Sequence, residues 1–165
     1  MMLAQQERGT MNLPGGIRAE RGAWALHLTG FSRKPWAPVL WQASAVHFGP
    51  FILRMTPSEG APGDGIRTQE VPVGMLEGCE IRTRRPGDRI RPFGMKGYRK
   101  LQDYLTDRRI DAAWREEIPL LCKEGEVLLA GGVGAGGIPS WRKSEDVVRL
   151  TWVGDMPWTG KKGRR

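Results

Sequence analysis

With 165 residues, 39% of them hydrophobic and 8% aromatic, the chain can bury a core and has the size of one domain or two small ones. That composition excludes a disordered protein, and no run approaches the ~18–20 consecutive apolar residues of a membrane-spanning helix. The formal net charge of +8 points to anionic partners, and MMLAQQERGT at the N-terminus lacks the apolar core of a secretory signal, so a soluble, cytoplasmic protein is expected.

Gly 23 and Pro 12 are high counts that favour short elements and many turns. LPGG at 13–16 is a turn signal, after which Trp24, Leu26 and Leu28 alternate along one face of an expected strand. Phe48 to Met55 reads as a strand interrupted by Pro50, and 56–67 is turn and loop chemistry. Residues 76–85 (LEGCEIRTRR) read as a strand carrying arginines outward at alternate positions, with Ile81 and Thr83 facing the other way. The best helix spans Gly97 to Arg109, with Tyr98, Leu101 and Leu105 on a packed stripe beside Tyr104 and an Arg99–Asp103 pair at i,i+4. A second short helix, Ala112 to Glu117, must stop before Pro119. The runs PLLC and VLLA flank a Glu-Gly turn and predict a hairpin, and VVRLTWV at 147–153 predicts a last strand with Val148, Leu150 and Trp152 on one face. Little ordered structure is expected beyond Gly154. Together these elements predict an α+β fold, a small β-sandwich or antiparallel sheet with one main packed helix. The expected organisation is a leader (1–10), a β-rich segment (11–75), a second domain (76–154) and a basic tail (155–165).

Charge is concentrated in one place. Residues 82–109 hold ten basic and three acidic side chains, and the tail KKGRR adds Lys161, Lys162, Arg164 and Arg165, which leaves the remainder of the chain net negative. Within RTRRPGDRIRPFG (82–94) two prolines and an aspartate interrupt the arginines, so this is neither a basic tail nor a buried strand. Two readings stand side by side: a folded, phosphate-binding face, or a merely solvated charged face. Under the first, the candidate ligands are Arg82, Arg84, Arg85, Arg89, Arg91, Lys96, Arg99 and Lys100. Pro86, Gly87 and Asp88 then form the turn that brings two groups of arginines together, with Asp88 capping the turn or orienting Arg89, and Gly97 frees the backbone at a helix entry. Arg149, on the last strand, lies outside this cluster. For Phe93 and Tyr98, packing into the core is expected.

Other motifs carry no chemistry. Gly132, Gly134 and Gly137 satisfy GxGxxG, but Pro139 argues against the helix that a dinucleotide site needs, so a flexible connection is expected. No GxxxxGK[ST], HExxH or GxSxG is present. Cys79 and Cys122 form no CxxC pair, and with only His27 and His47 to join them they are expected as reduced, partly buried thiols rather than a metal site. No catalytic residue is assigned.

The ordered set RTRRPGDRIRPFGMKGYRKLQDYLTDRRI, WREEIPLL and EVLLAGGV resembles the C-terminal domain of tRNA(Ile)-lysidine synthetase, and MNLPGGIRAERGAWALHL resembles the strand pair that precedes that domain. The resemblance covers about residues 11 to 153. It implies a small β-sandwich with helices, shared with a domain of the phenylalanyl-tRNA synthetase β chain. It also implies a role in gripping tRNA near the acceptor stem, with the arginines above on its backbone. The family joins lysine to the wobble cytidine of the CAU-anticodon isoleucine tRNA in an ATP-dependent, two-step reaction. That chemistry, with its ATP and Mg, belongs to a PP-loop domain marked by Ser-Gly-Gly-x-Asp-Ser, a motif this sequence does not contain. The resemblance therefore implies a tRNA(Ile)-binding module without cofactor or activity of its own, served by a separately encoded catalytic domain or cut from a longer chain. A second reading, a basic domain docking an acidic protein partner, is left open by the same charges.

Overall fold

The computed structural model describes residues 9–14, 17–23, 25–29, 36–42, 44–137 and 146–159. Among them are fourteen strands and two short α-helices. In chain order the strands are β1 (Thr10–Leu13), β2 (Ile17–Arg21), β3 (Leu26–Thr29), β4 (Val39–Leu40), β5 (Ala45–Phe48), β6 (Phe51–Pro57), β7 (Thr68–Pro72), β8 (Glu80–Arg82), β9 (Arg89–Ile90) and β10 (Arg99–Lys100). Helices α1 (Leu101–Asp107) and α2 (Ala112–Arg115) follow, then β11 (Leu120–Lys123), β12 (Glu126–Ala130), β13 (Gly134–Ala135) and β14 (Val147–Val153). This is an α+β fold of mostly antiparallel, partly mixed sheets with one main helix.

Three sheets form. The first is the meander β1-β2-β3; the second runs β10-β9-β12-β11-β8-β4, with β13 also on β12; the third runs β5-β6-β14-β7. Among the described residues only β9 and β12 pair in parallel. The expected PLLC/VLLA hairpin is the centre of the second sheet, closed by Glu124 and Gly125, whose positive φ angles (49° and 79°) match the twist of the flanking strands. Pro50 does not interrupt a strand; with Gly49 it makes the turn between β5 and β6. The last strand occurs as expected and inserts between β6 and β7, burying Leu150 and Trp152. Because β14 pairs with strands of residues 51–72, and β4 pairs with β8, both larger sheets bridge the expected junction near residue 75. A single apolar cluster joins them, from Phe48, Phe51 and Leu53 to Ile81, Leu105, Leu121 and Leu129.

Several expectations are corrected. The main helix begins at Leu101, not Gly97: residues 99–100 are paired with β9, and Lys100 is extended (φ −61°, ψ 134°) at the helix N-cap. Leu101, Tyr104 and Leu105 are buried as the stripe requires, but Tyr98 lies outside the helix and is exposed. Arg99 pairs with Asp107 (2.6 Å), not Asp103. On β3 Leu26 and Leu28 do share one face, but it is the face toward water, while His27 is buried, its Nε2 2.8 Å from Asp111 Oδ2 and its ring edge-on to Trp114. Trp24 lies outside the described residues. The glycine run is no flexible connection either, since Gly131 to Gly134 are buried and a Cβ on Gly134 would collide with the Tyr104 hydroxyl. Past Gly154, Met156 and Trp158 are buried, and the Trp158 indole N–H donates to the Gly131 carbonyl (2.8 Å). Residues 160–165, with the basic tail, lie outside the described residues, as does most of the leader.

Candidate nucleic-acid interface

The arginine-rich segment separates into an internal and an external set. Arg82 is internal. Its side chain is 3% exposed and spans Asp88 bidentately, Nη1 to Oδ2 and Nη2 to Oδ1, both 2.8 Å, while Nε donates to Glu80 Oε1 at 2.7 Å. Burial alone would lower its pKa, but the hydrogen bonds to Asp88 dominate and hold the guanidinium charged well above its ordinary value. Asp88 also accepts the Arg85 amide (2.7 Å), so it caps the turn as expected but orients Arg82 instead of Arg89. That turn closes through the Asp88 amide on the Arg85 carbonyl and needs φ of 89° at Gly87, the region where glycine is favoured. Strand β8 ends at Arg82, so the expected run of outward arginines does not form.

Other members of the candidate set are partly engaged. Arg84 pairs with Glu116 and Arg99 with Asp107, while Arg85, half exposed, shares Glu80 with Arg82 at 3.0 Å. Arg149 is held by Glu70 (2.8 Å) and Glu59, so it is a structural residue and not a neutral surface cation.

The external set stands on the β9–β10 hairpin. Arg89 lies directly opposite Lys100 in the antiparallel register, so both project from one face, and Arg91 and Tyr98, each two residues along, share it. The guanidinium carbons of Arg89 and Arg91 lie 4.9 and 5.6 Å from the centroid of the Tyr98 ring, a cation–π arrangement. The Tyr98 hydroxyl donates to Glu126 (3.1 Å), which steadies the ring. Among the described residues no carboxylate forms an ion pair with Arg89, Arg91, Lys96 or Lys100. Residues 93–98 are all exposed, including Phe93 at 81% and Tyr98 at 48%. Both aromatics were expected in the core; their positions beside Pro92–Gly94 and Gly97 were the available signal that a turn would carry them outward. Gly97 has ordinary φ, and Gly94 (φ 79°) is the glycine the loop requires.

No group of three or more His, Cys, Asp or Glu side chains is placed to hold a metal among the described residues. Cys79 and Cys122 are free and buried, and burial raises their thiols to about 11 and about 12. Among the described residues no helix is long and apolar enough to cross a membrane.

The model of the TilS substrate C-terminal domain family matches residues 79–152, a span holding both sets of arginines. Over that segment the chain is similar to the TilS C-terminal domain family. Curated relatives agree with this. The chain is 47% identical over 53 residues to the tRNA(Ile)-lysidine synthase of Symbiobacterium thermophilum, covering 32% of this chain and 11% of that protein. It is 42% identical over 69 residues to that of Persephonella marina, covering 41% and 15%. A solved structure of a TilS C-terminal domain superimposes with a TM-score of 0.61 at 16% identity, covering 72% of this chain and 97% of the other, and so supports the fold. The chain spans only 11% to 15% of the length of these curated synthases. The family match runs from β8 to β14, and the hairpin with its exposed cations lies inside that span.

Proposed function

We propose that this chain is a tRNA-binding module of the tRNA(Ile)-lysidine synthase type, holding tRNA(Ile) while lysine transfer to the wobble cytidine takes place on an ATP-dependent catalytic domain outside this sequence. The observation that carries the reading is the hairpin face, where among the described residues Arg89, Arg91, Lys96 and Lys100 have no carboxylate ion pair, while Arg82, Arg84, Arg85 and Arg99 of the same segment each have one. Guanidinium forks suit phosphate oxygens, which they bridge bidentately. On an A-form stem such contacts read backbone shape and 2′-hydroxyls rather than base identity. The domain acts in the cytoplasm in this reading and takes no cofactor itself.

The test is a titration of the chain with CAU-anticodon isoleucine tRNA across a salt series. With Arg85, Arg89, Arg91, Lys96 and Lys100 making roughly five phosphate contacts, log K should fall against log salt with a slope of about −4. Replacing Arg89 by alanine should weaken binding and make the slope shallower by about one unit. Arg54, exposed on β6, serves as the control and should change neither. Affinity that is independent of salt, or unchanged in Arg89→Ala, defeats the reading and leaves the basic face to an acidic protein partner. Incubation of the chain alone with ATP, lysine and tRNA should yield no lysidine.

A further inference from the structure

Phe93 keeps 81% of its surface in water, whereas Phe48 and Phe51 are almost wholly buried. Its position is not slack. The Met95 amide donates to the Pro92 carbonyl (3.0 Å) and Gly94 takes φ 79°, which is a type II turn with Phe93 at its corner. The foot of the turn is braced: Pro92 is buried and bridges to Gly136, Arg91 Nη2 donates to the Gly137 carbonyl (2.9 Å), and the Gly137 amide donates to the Arg91 carbonyl. A rigid turn thus presents an apolar ring in the loop between Arg91 and Tyr98, whose ring already carries two guanidinium groups.

From this arrangement the geometry points to Phe93 as a stacking platform for one unpaired base, adjoining a stem whose phosphates are held by Arg89, Arg91, Lys96 and Lys100. The inference rests on the RNA-binding reading above and adds to it the kind of nucleotide the site takes. A ring on a tight turn cannot read the deep, narrow major groove of an A-form helix. It can meet the face of a base that has no pairing partner, at a stem end, a bulge or a loop. Such stacking tolerates any base, because each has a π-face. A protein partner fits less well: it would call for a larger contiguous apolar patch than Phe93 and its exposed neighbour Met95 supply, and Arg91 and Lys96 flank the two in the loop.

Three RNAs test this with the full chain: a blunt stem, the same stem with a 3′ single-stranded extension, and one with a 5′ extension, each extension starting with 2-aminopurine. One extended stem should bind about tenfold more tightly than the blunt one, with its aminopurine fluorescence quenched. Phe93→Ala should lose that gain and the quenching, yet keep the blunt-stem affinity, the salt slope and the melting temperature. Phe93→Trp should keep the gain. Equal binding of all three RNAs by the unsubstituted chain, or a preference that survives in Phe93→Ala, overturns the stacking platform while leaving RNA binding intact. Equal weakening of blunt and extended stems by Phe93→Ala overturns it too. Absence of salt-dependent binding to any of the three removes the RNA-binding reading and this inference with it.

Discussion

Arg82 and Arg89 belong to one basic segment and do opposite work. Arg82 is buried with Asp88 as its bidentate partner, so Arg82→Ala strands a buried carboxylate and should cost about 3–5 kcal/mol. Arg89 rests on an exposed ring, and Arg89→Ala should leave urea stability within about 0.5 kcal/mol while weakening RNA binding. Urea melts and salt titrations of the two variants check the division; equal stability loss in both would show that the surface set is structural as well. Asp64 offers a pH test at the same scale. Burial pushes its carboxyl up, but amide hydrogen bonds from Thr68, Ile66 and Arg67 outweigh this and hold it below its ordinary value. A depressed folded-state pKa contributes stability above the unfolded value of roughly 4 and loses it as pH falls through the lower folded value. The melting temperature should therefore drop on acidification below about pH 4, and drop less in Asp64→Asn.

At the scale of elements, much was legible where pattern and packing agree. The β11–β12 hairpin and β14 follow their apolar runs because both faces, or one clean face, are buried. The β9–β10 hairpin was not legible, since two-residue strands give no periodicity and the helical spacing of Tyr98 with Leu101 outweighed the loop signal of Gly94 and Gly97. The density of arginine in the site was visible, but not its partition, because the partners of Arg84 and of β3 lie 32 and 84 residues away in sequence. The outward-facing leucines of β3 have the same origin. Asp111 accepts the Ala23 amide (2.6 Å) and sits 2.8 Å from His27 Nε2, so a polar anchor decides which side of the meander turns inward. Asp111→Ala should accordingly loosen β1–β3. Hydrogen exchange in residues 10–29 should accelerate while β11 and β12 stay protected, and unchanged exchange in the meander would assign its anchoring to other contacts.

The whole molecule is tied together by its last strand. Strand β14 adds the C-terminal end of the TilS-type domain to a sheet built from residues 45–72, and Trp158 then reaches back to the Gly131 carbonyl of the other sheet. With one apolar cluster shared by both sheets, neither can open without exposing the face of the other. Unfolding of 36–159 should thus be a single cooperative transition. The buried thiols report it: at about 11 and about 12 their pKa values leave almost no thiolate at neutral pH, so labelling needs exposure. Cys122 on β11 should become reactive at the same urea concentration at which the amides of β6 and β14 lose protection. Trp158→Ala should move both midpoints down together, by the equivalent of about 3–5 kcal/mol. Cys122 reacting while β6 and β14 remain protected would mean that the two sheets unfold as separate units, and that the hairpin face is held by the TilS-type sheet alone.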